Sequence, residues 1–374
     1  MDDIVPTVEP GAMETTSARA RINARMDQSF AFLEAYGTSE VLMDAFVDFL
    51  RAPGTLRKPA LIIRCRFDDG AVEYSTVVDN SKIHRRLSRQ FVPYLDRVRD
   101  RLTGRADVLV LLSDTLYVVD SQVATLVEFL KRVPFMRGDW LEGDPVSSHM
   151  LAIPDFTLQD ALYGKEVDKI DEAAGRIPFA SREEMIKWRG RLTGPNYPDA
   201  GNCHNFPRYH LLKLAASNSS ILDARITHYD NFPDTPAGRA LRQELDELLG
   251  GPASEIPPSD FVFYKYLVST DGVASTWKRV ANSLWTGSVL LMQHRWRQFF
   301  YPGLVAWKHY VPVADDLSDL PARYAWLQSN QVDAERIGTE GRCFAKAFLT
   351  VRAIEDHFAA VLNRCAMLPR TNGP

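Results

Sequence analysis

Apolar positions along the chain follow two periods in turn. From Ala24 to Leu50 the spacing is helical, with Phe30, Leu33, Tyr36, Leu42, Phe46 and Leu50 on one face and a break near Gly37. Ala60–Phe67 and Ala71–Val78 flank Asp68-Asp69-Gly70 and predict a hairpin. A helix follows with Ile83, Leu87, Phe91, Leu95, Val98 and Leu102 on one side, and Pro93 should bend or divide it. Ala106–Leu112 is apolar on both faces, as in a strand covered by helices, and ends at Ser113-Asp114. A helix over Ser121–Arg132 and a strand over Ser148–Ile153 complete a first α/β half.

Pro154-Asp155-Phe156 and the polar stretch Gly164–Gly175 mark the boundary, and a second alternation begins. Strand-like Met185–Trp188 leads through Arg189-Gly190-Arg191-Leu192-Thr193-Gly194 into a Gly/Pro/Asn-rich loop that closes at Phe206-Pro207-Arg208. A helix, Tyr209–Ala216, a strand, Ile221–Thr227, and a helix, Ala237–Leu249, precede the apolar run Phe261–Val268. That run passes through Ser269-Thr270-Asp271-Gly272 into a predicted helix from Val273 to Thr286. Val273, Trp277, Val280, Ala281 and Leu284 fall on its apolar face. A strand feeding through a Gly turn into a helix exposes backbone N–H groups and a positive dipole end, which suits a diphosphate. Lys278 and Arg279 would add charge. Helices over Leu320–Asn330, Val332–Leu349 and Val351–Met367 close the chain.

The wording of this second half resembles the glycosyltransferase family 90 signature, the family of Rumi-type protein O-glucosyltransferases and of capsule-associated and lipopolysaccharide-modifying glycosyltransferases. The matching residues are Tyr264-Lys265-Tyr266-Leu267, Asp271-Gly272-Val273-Ala274-Ser275, Phe299-Phe300-Tyr301-Pro302, His309-Tyr310-Val311-Pro312-Val313 and Asp316-Leu317-Ser318. Trp188-Arg189-Gly190-x-x-Thr193 resembles the family's aromatic–Arg–Gly–x–x–Thr element beside the nucleotide diphosphate, and Arg208 stands at the spacing of its second diphosphate arginine. Tyr209 follows where the family often has an acidic residue. Rumi-type proteins have an arginine where this chain has Lys278. Either Lys278 or Arg279 replaces it, with Lys278 favoured by spacing, since a helix step of about 100° lets only one of them face the phosphates. Gly272, Val273, Ala274, Ser275 and Thr276 complete the expected nucleotide site.

The resemblance implies an α/β protein of GT-B type, with two Rossmann-like domains facing a cleft and a long C-terminal helix. The expected divisions are a disordered tail over 1–22, an acceptor-side domain over 23–165, a nucleotide-sugar domain over 166–345, and a helix over 346–374 returning to the first domain. It also implies inverting transfer of glucose or xylose from a UDP-sugar to a hydroxyl of a glycan acceptor such as lipopolysaccharide or capsule. A carboxylate base is expected four residues before a Pro. If Pro154 is that Pro, the position is Met150, so Asp155, Asp114 and His149 remain the candidates. The alternative is a non-catalytic member that binds nucleotide-sugar or glycan and has lost its base.

With 374 residues, 45% of them hydrophobic, the chain has material for two cores. Its net charge of −4 and scattered basic residues argue against nucleic acid as a partner. Cys65, Cys203, Cys343 and Cys365 are far apart and form no CxxC, so neither a zinc site nor a disulfide scaffold is indicated. No Asp-x-Asp of metal-binding type stands at a strand end, and Arg and Lys donors can carry leaving-group charge, so no metal or other cofactor is expected. The polar, acidic N-terminus and the lack of a membrane-length apolar run point to a cytoplasmic protein, with peripheral membrane association only through a lipid-linked acceptor. Eukaryotic proteins of the resembled family sit in the secretory pathway, so a bacterial-type enzyme fits better.

Overall fold

The protein is described from a computed structural model covering residues 12–83, 87–194 and 196–371. The chain divides into two compact units. Of the described residues, one comprises 17–160, 296–303 and 351–371, and the other comprises 161–295 and 304–350, together with 12–16 at the start of the first helix. We call them the N-terminal and central units.

The N-terminal unit opens with α1 (Ala12–Tyr36) and α2 (Glu40–Arg51). The tail expected over 1–22 is therefore helical from residue 12, with Ala18 and Ile22 buried, while residues 1–11 lie outside the described residues. Ser39 caps α2 by accepting from Leu42 N. Next come β1 (Ile62–Asp68) and β2 (Ala71–Val78), joined at Asp69-Gly70, whose φ values of 44° and 87° are those of a tight hairpin turn. The helix expected over 83–102, which Pro93 should bend or divide, is divided. A π-type turn over Leu87–Phe91 leads into α3 (Val92–Val98) and a 3-10 turn over Arg99–Arg101, with Pro93 denying the ladder a donor. Then follow β3 (Arg105–Leu111), α4 (Val123–Leu130), β4 (Phe135–Arg137), β5 (Asp139–Leu141), β6 (Leu151–Ala152) and α5 (Phe156–Tyr163). Where a strand was expected over 148–153, Ser147–His149 form a 3-10 turn and only two residues pair. The sheet order is β2-β1-β3-β4-β6, antiparallel at the hairpin side and parallel beyond β3.

The central unit contains α6 (Glu166–Arg176), β7 (Glu183–Gly190), α7 (Pro207–Ser217), β8 (Leu222–Ile226), α8 (Pro236–Leu249), β9 (Tyr264–Thr270), α9 (Lys278–Thr286) and β10 (Val289–Gln293). The short β11 (Trp296–Gln298) leaves this unit, because it pairs antiparallel with β5, so the second domain is not the continuous 166–345 expected. β12 (Val311–Pro312), α10 (Leu320–Ser329) and α11 (Gln331–Phe348) return to it, and α12 (Val351–Ala366) groups with the N-terminal unit. The central sheet is wholly parallel, in the order β12-β10-β9-β7-β8. Every residue of β10 is buried, as a strand covered on both faces requires. Gly338 lets α11 close onto the α9–β10 turn, since a Cβ there would stand 2.3 Å from the Gly287 carbonyl oxygen. The fold class is thus mixed α/β with parallel strands in both larger sheets.

Helix α9 is the main departure in the central unit. It starts at Lys278, not Val273, and 271–277 form a loop that ends at Trp277 with φ 53°. The apolar spacing of Val273 and Trp277 with the helix was fortuitous. Positive φ at a bulky non-glycine residue is costly and must be over-determined by its surroundings.

Candidate functional site

In an open parallel sheet, functional groups gather beyond the carboxyl ends of the strands. Here those ends carry Arg189-Gly190 on β7, Asp271-Gly272 after β9 and His294 after β10.

Trp188 is fully buried near the end of β7, and its indole anchors the site. Two guanidiniums flank it, with Arg279 Cζ 5.5 Å and Arg208 Cζ 6.0 Å from the ring centroid. Arg208 Nη1 donates to Thr193 Oγ1 at 2.6 Å and to the Arg191 carbonyl at 3.0 Å, while Arg279 Nη2 donates to the Arg189 carbonyl at 2.6 Å. Among the described residues neither arginine makes an ion pair. Burial, then the Arg279 charge, push Arg208 down to about 9 against the pull of Asp271, and burial pushes Arg279 down to about 10. Both stay charged in practice, and the displacement comes chiefly from burying the two cations.

Glycines make the approach close. A Cβ at Gly272 would stand 2.5 Å from Thr193 Oγ1 and 2.8 Å from Arg208 Nη2. One at Gly190 would meet Trp188 Cζ2 at 2.8 Å and Arg279 Nη2 at 3.0 Å. Gly190, Arg208 and Arg279 therefore meet around one indole, and Thr193 and Gly272 meet Arg208. Two guanidiniums without ion-pair partners among the described residues, beside open backbone, have the charge and access that a multiply charged anion requires.

Other expected residues lie elsewhere. Arg189 is spent on Asp223 of the neighbouring strand through two contacts of 2.8 Å, so its charge is already balanced. Burial favours a higher Asp223 pKa, but hydrogen bonds from Arg189 and Lys187 outweigh it and hold that carboxyl below the usual range. Lys278, favoured by spacing, instead donates to Glu166 Oε2 at 2.7 Å, beside Asn282, which donates to Glu166 Oε1 at 2.6 Å. Arg279 is the member of the pair that reaches Trp188. Ser275 and Thr276 lie in the loop rather than a first helical turn and are buried, as is Ala274, while Val273 is half-buried.

The base candidates all belong to the N-terminal unit. Half-buried Asp114 offers its carbonyl to Arg137 at 3.2 Å, and His149 sets Nδ1 2.6 Å from the Pro145 carbonyl and tilts against Phe32. Asp155 is 2% exposed and caps α5. Its Oδ1 accepts from Thr157 N at 2.8 Å, Thr157 Oγ1 at 2.5 Å and Leu158 N at 3.0 Å, and its Oδ2 accepts from Gln298 at 3.3 Å. Burial raises Asp155 to about 6, with the hydrogen bonds from Thr157 and Leu158 opposing and Asp139 adding to the rise. Asp139 went unremarked in the sequence. It is 1% exposed and accepts from Arg137 Nε at 3.0 Å, and Arg137 in turn lies over Trp296. An Arg-Gly-Asp run in a loop-like stretch gives no sign of burial, which comes only from the β5–β11 pairing. Among the described residues no group of three or more His, Cys, Asp or Glu converges as a metal site, and no helix is long and apolar enough to cross a membrane. The four cysteines are free, and only Cys343 is exposed.

A wholly parallel sheet with helices in its connections places the central unit in the α/β class. The sequence model of Glycosyl transferase family 90 matches residues 154–373, more than half of the chain. This chain belongs to that family. Human protein O-glucosyltransferase 3 is 27% identical over 317 residues, covering 80% of this chain and 56% of the human protein. The rat protein O-glucosyltransferase 3 is 33% identical over 159 residues, covering 42% of this chain and 29% of its own length. The chain thus spans about half the length, or less, of these curated relatives. Among solved structures, Anabaena HepE in complex with UDP-glucose overlaps 65% of this chain and 68% of its own, at 11% identity and a TM-score of 0.41.

Proposed function

We propose that this protein is a glycosyltransferase of GT-B type that takes a UDP-sugar donor and transfers the sugar, with inversion, to an acceptor hydroxyl. One observation carries the reading: Arg208 and Arg279, uncompensated by any carboxylate pair among the described residues, flank Trp188 above Gly190 and Gly272. In the reaction the acceptor oxygen forms its bond to the anomeric carbon and gives its proton to a base. The bond from that carbon to the diphosphate breaks with its electron pair, and the two guanidiniums take up the charge on the departing UDP. Stabilisation by fixed cations makes a metal unnecessary in this scheme. The relatives are named as O-glucosyltransferases of proteins, which supports glucose as the sugar and a protein hydroxyl as an acceptor to set beside the glycan expected from sequence.

Asp155, at about 6, has the basicity that a general base needs near neutral pH, and Asp139 is the second buried carboxylate of the same unit. The commitment of Asp155 Oδ1 to a helix cap favours a second reading, in which the chain binds the donor without turning it over. Release of UDP from a panel of UDP-sugars, in EDTA, with glycan and peptide acceptors, separates the two. Acceptor-stimulated turnover that Asp155→Asn or Asp139→Asn abolishes, with UDP affinity kept, establishes the enzyme. Tight UDP binding with no turnover of any donor supports the binding protein, and failure to bind UDP refutes both.

A further inference from the structure

The crest of the central sheet also holds a buried polar chain that the anion receptor does not account for. His294 follows β10 directly, and its side chain is 0% exposed. Its Nδ1 lies 2.8 Å from Asp271 Oδ1, and its Nε2 is 3.1 Å from Ser269 Oγ, which is in turn 3.3 Å from Thr276 Oγ1. The backbone completes the brace. Arg295 N donates to Asp271 Oδ2 at 2.5 Å, and Asp271 N donates to Gln293 Oε1 at 3.3 Å. One imidazole therefore reaches both ends of the 271–276 loop. That loop sets Gly272 against Thr193 and Arg208 and finishes at the strained Trp277.

An imidazole and a carboxylate buried this close, in an approach short of hydrogen-bond geometry, are costly to bury apart, and such a network mainly fixes geometry. Packing alone would be served by apolar side chains at Ser269 and His294. We infer that His294 is a positioning residue of the anion site. By holding Asp271 it sets the height of Gly272, and with it the room at Arg208 and the charge balance there, to which Asp271 contributes the favourable carboxylate. Arg208 and the loop backbone are thereby arranged before the ligand arrives, which lowers the ordering cost of binding. The inference rests on the reading that Arg208 and Arg279 receive the donor diphosphate.

Calorimetric titration of UDP and of uridine into the full chain, its His294→Ala and Asp271→Asn variants and the double variant tests it. His294→Ala should weaken UDP about tenfold and uridine by less than about twofold, as expected for a lost charge-assisted contact acting on the phosphates alone. Asp271→Asn should cost a similar factor, and the double variant should be no worse than the weaker single, because the two act as one unit. His294→Asn keeps an N–H beside Asp271 and should recover most of the affinity. Additive losses, equal losses for uridine and UDP, or unchanged UDP affinity in a folded His294 variant would each overturn the positioning role alone. A wild-type chain that binds no UDP would overturn the donor-site reading first, and this inference with it.

Discussion

Arg279 and Lys278 are neighbours with opposite fates, and exchanging each for a neutral residue separates the structure's assignment from the spacing argument. Lys278 Nζ sits 2.7 Å from Glu166, with side-chain exposures of 36% and 25% for the two partners. A partly solvated pair of this kind contributes about 0–1 kcal/mol to stability. Its removal should change UDP affinity by no more than about twofold, the equivalent of roughly 0.5 kcal/mol. Arg279 lies against the Trp188 face with no carboxylate partner among the described residues, and a hydrogen bond from such a charge to phosphate is worth roughly 1.5–3 kcal/mol, or about 10- to 150-fold in Kd. Arg279→Gln is the better probe, because the amide can still donate to the Arg189 carbonyl that Arg279 Nη2 reaches at 2.6 Å. Titration calorimetry with UDP at two salt concentrations, alongside thermal unfolding, reads both effects. The expected pattern is a large, salt-sensitive loss of affinity for Arg279→Gln with a small change in Tm, and near wild-type binding for Lys278→Ala. A Lys278→Ala loss equal to or larger than that of Arg279→Gln would refute the placement of the site and restore the spacing argument.

Three further outcomes are expected. Gly272→Ala should abolish measurable UDP binding, because its Cβ would stand 2.5 Å from Thr193 Oγ1 and 2.8 Å from Arg208 Nη2; retained affinity in a calorimetric titration would show that the loop has slack. Gly338→Ala, whose Cβ would stand 2.3 Å from the Gly287 carbonyl, should lower stability in urea by about 1–3 kcal/mol, the usual cost of overpacking. Asp155 and His357 should pull the pH dependence of stability in opposite directions. Asp155 is raised by burial to about 6, so its contribution is most favourable near pH 4 and is lost as pH rises through 6. Burial pushes His357 down to about 4, so its contribution is full above pH 6.5 and is lost as pH falls towards 4. Compared with the wild type, Asp155→Asn should steepen the loss of stability between pH 6.5 and 4.5, and His357→Gln should lessen it. Each change should be on the order of 2 kcal/mol, and unfolding curves parallel to the wild type would refute both assignments.

The alternation of elements, the Asp69-Gly70 hairpin, the buried parallel strands and the short list from which the anion site is drawn are legible along the chain. Those features follow from local rules, namely side-chain periodicity, turn conformation and the wording around Asp271-Gly272. Tertiary structure decided the remainder. It cancelled Arg189 with Asp223, a partner on a neighbouring strand that no spacing along the chain reveals. It started α9 at Lys278, paired Lys278 with the distant Glu166 and left Arg279 against Trp188. It took Trp296–Gly303 out of the central unit through the β5–β11 pairing, burying Asp139 in a stretch that reads as loop. In each case a charge or a backbone segment was committed by a contact distant in sequence. Local pattern names the groups capable of the chemistry, and only packing settles which of them remain free to perform it.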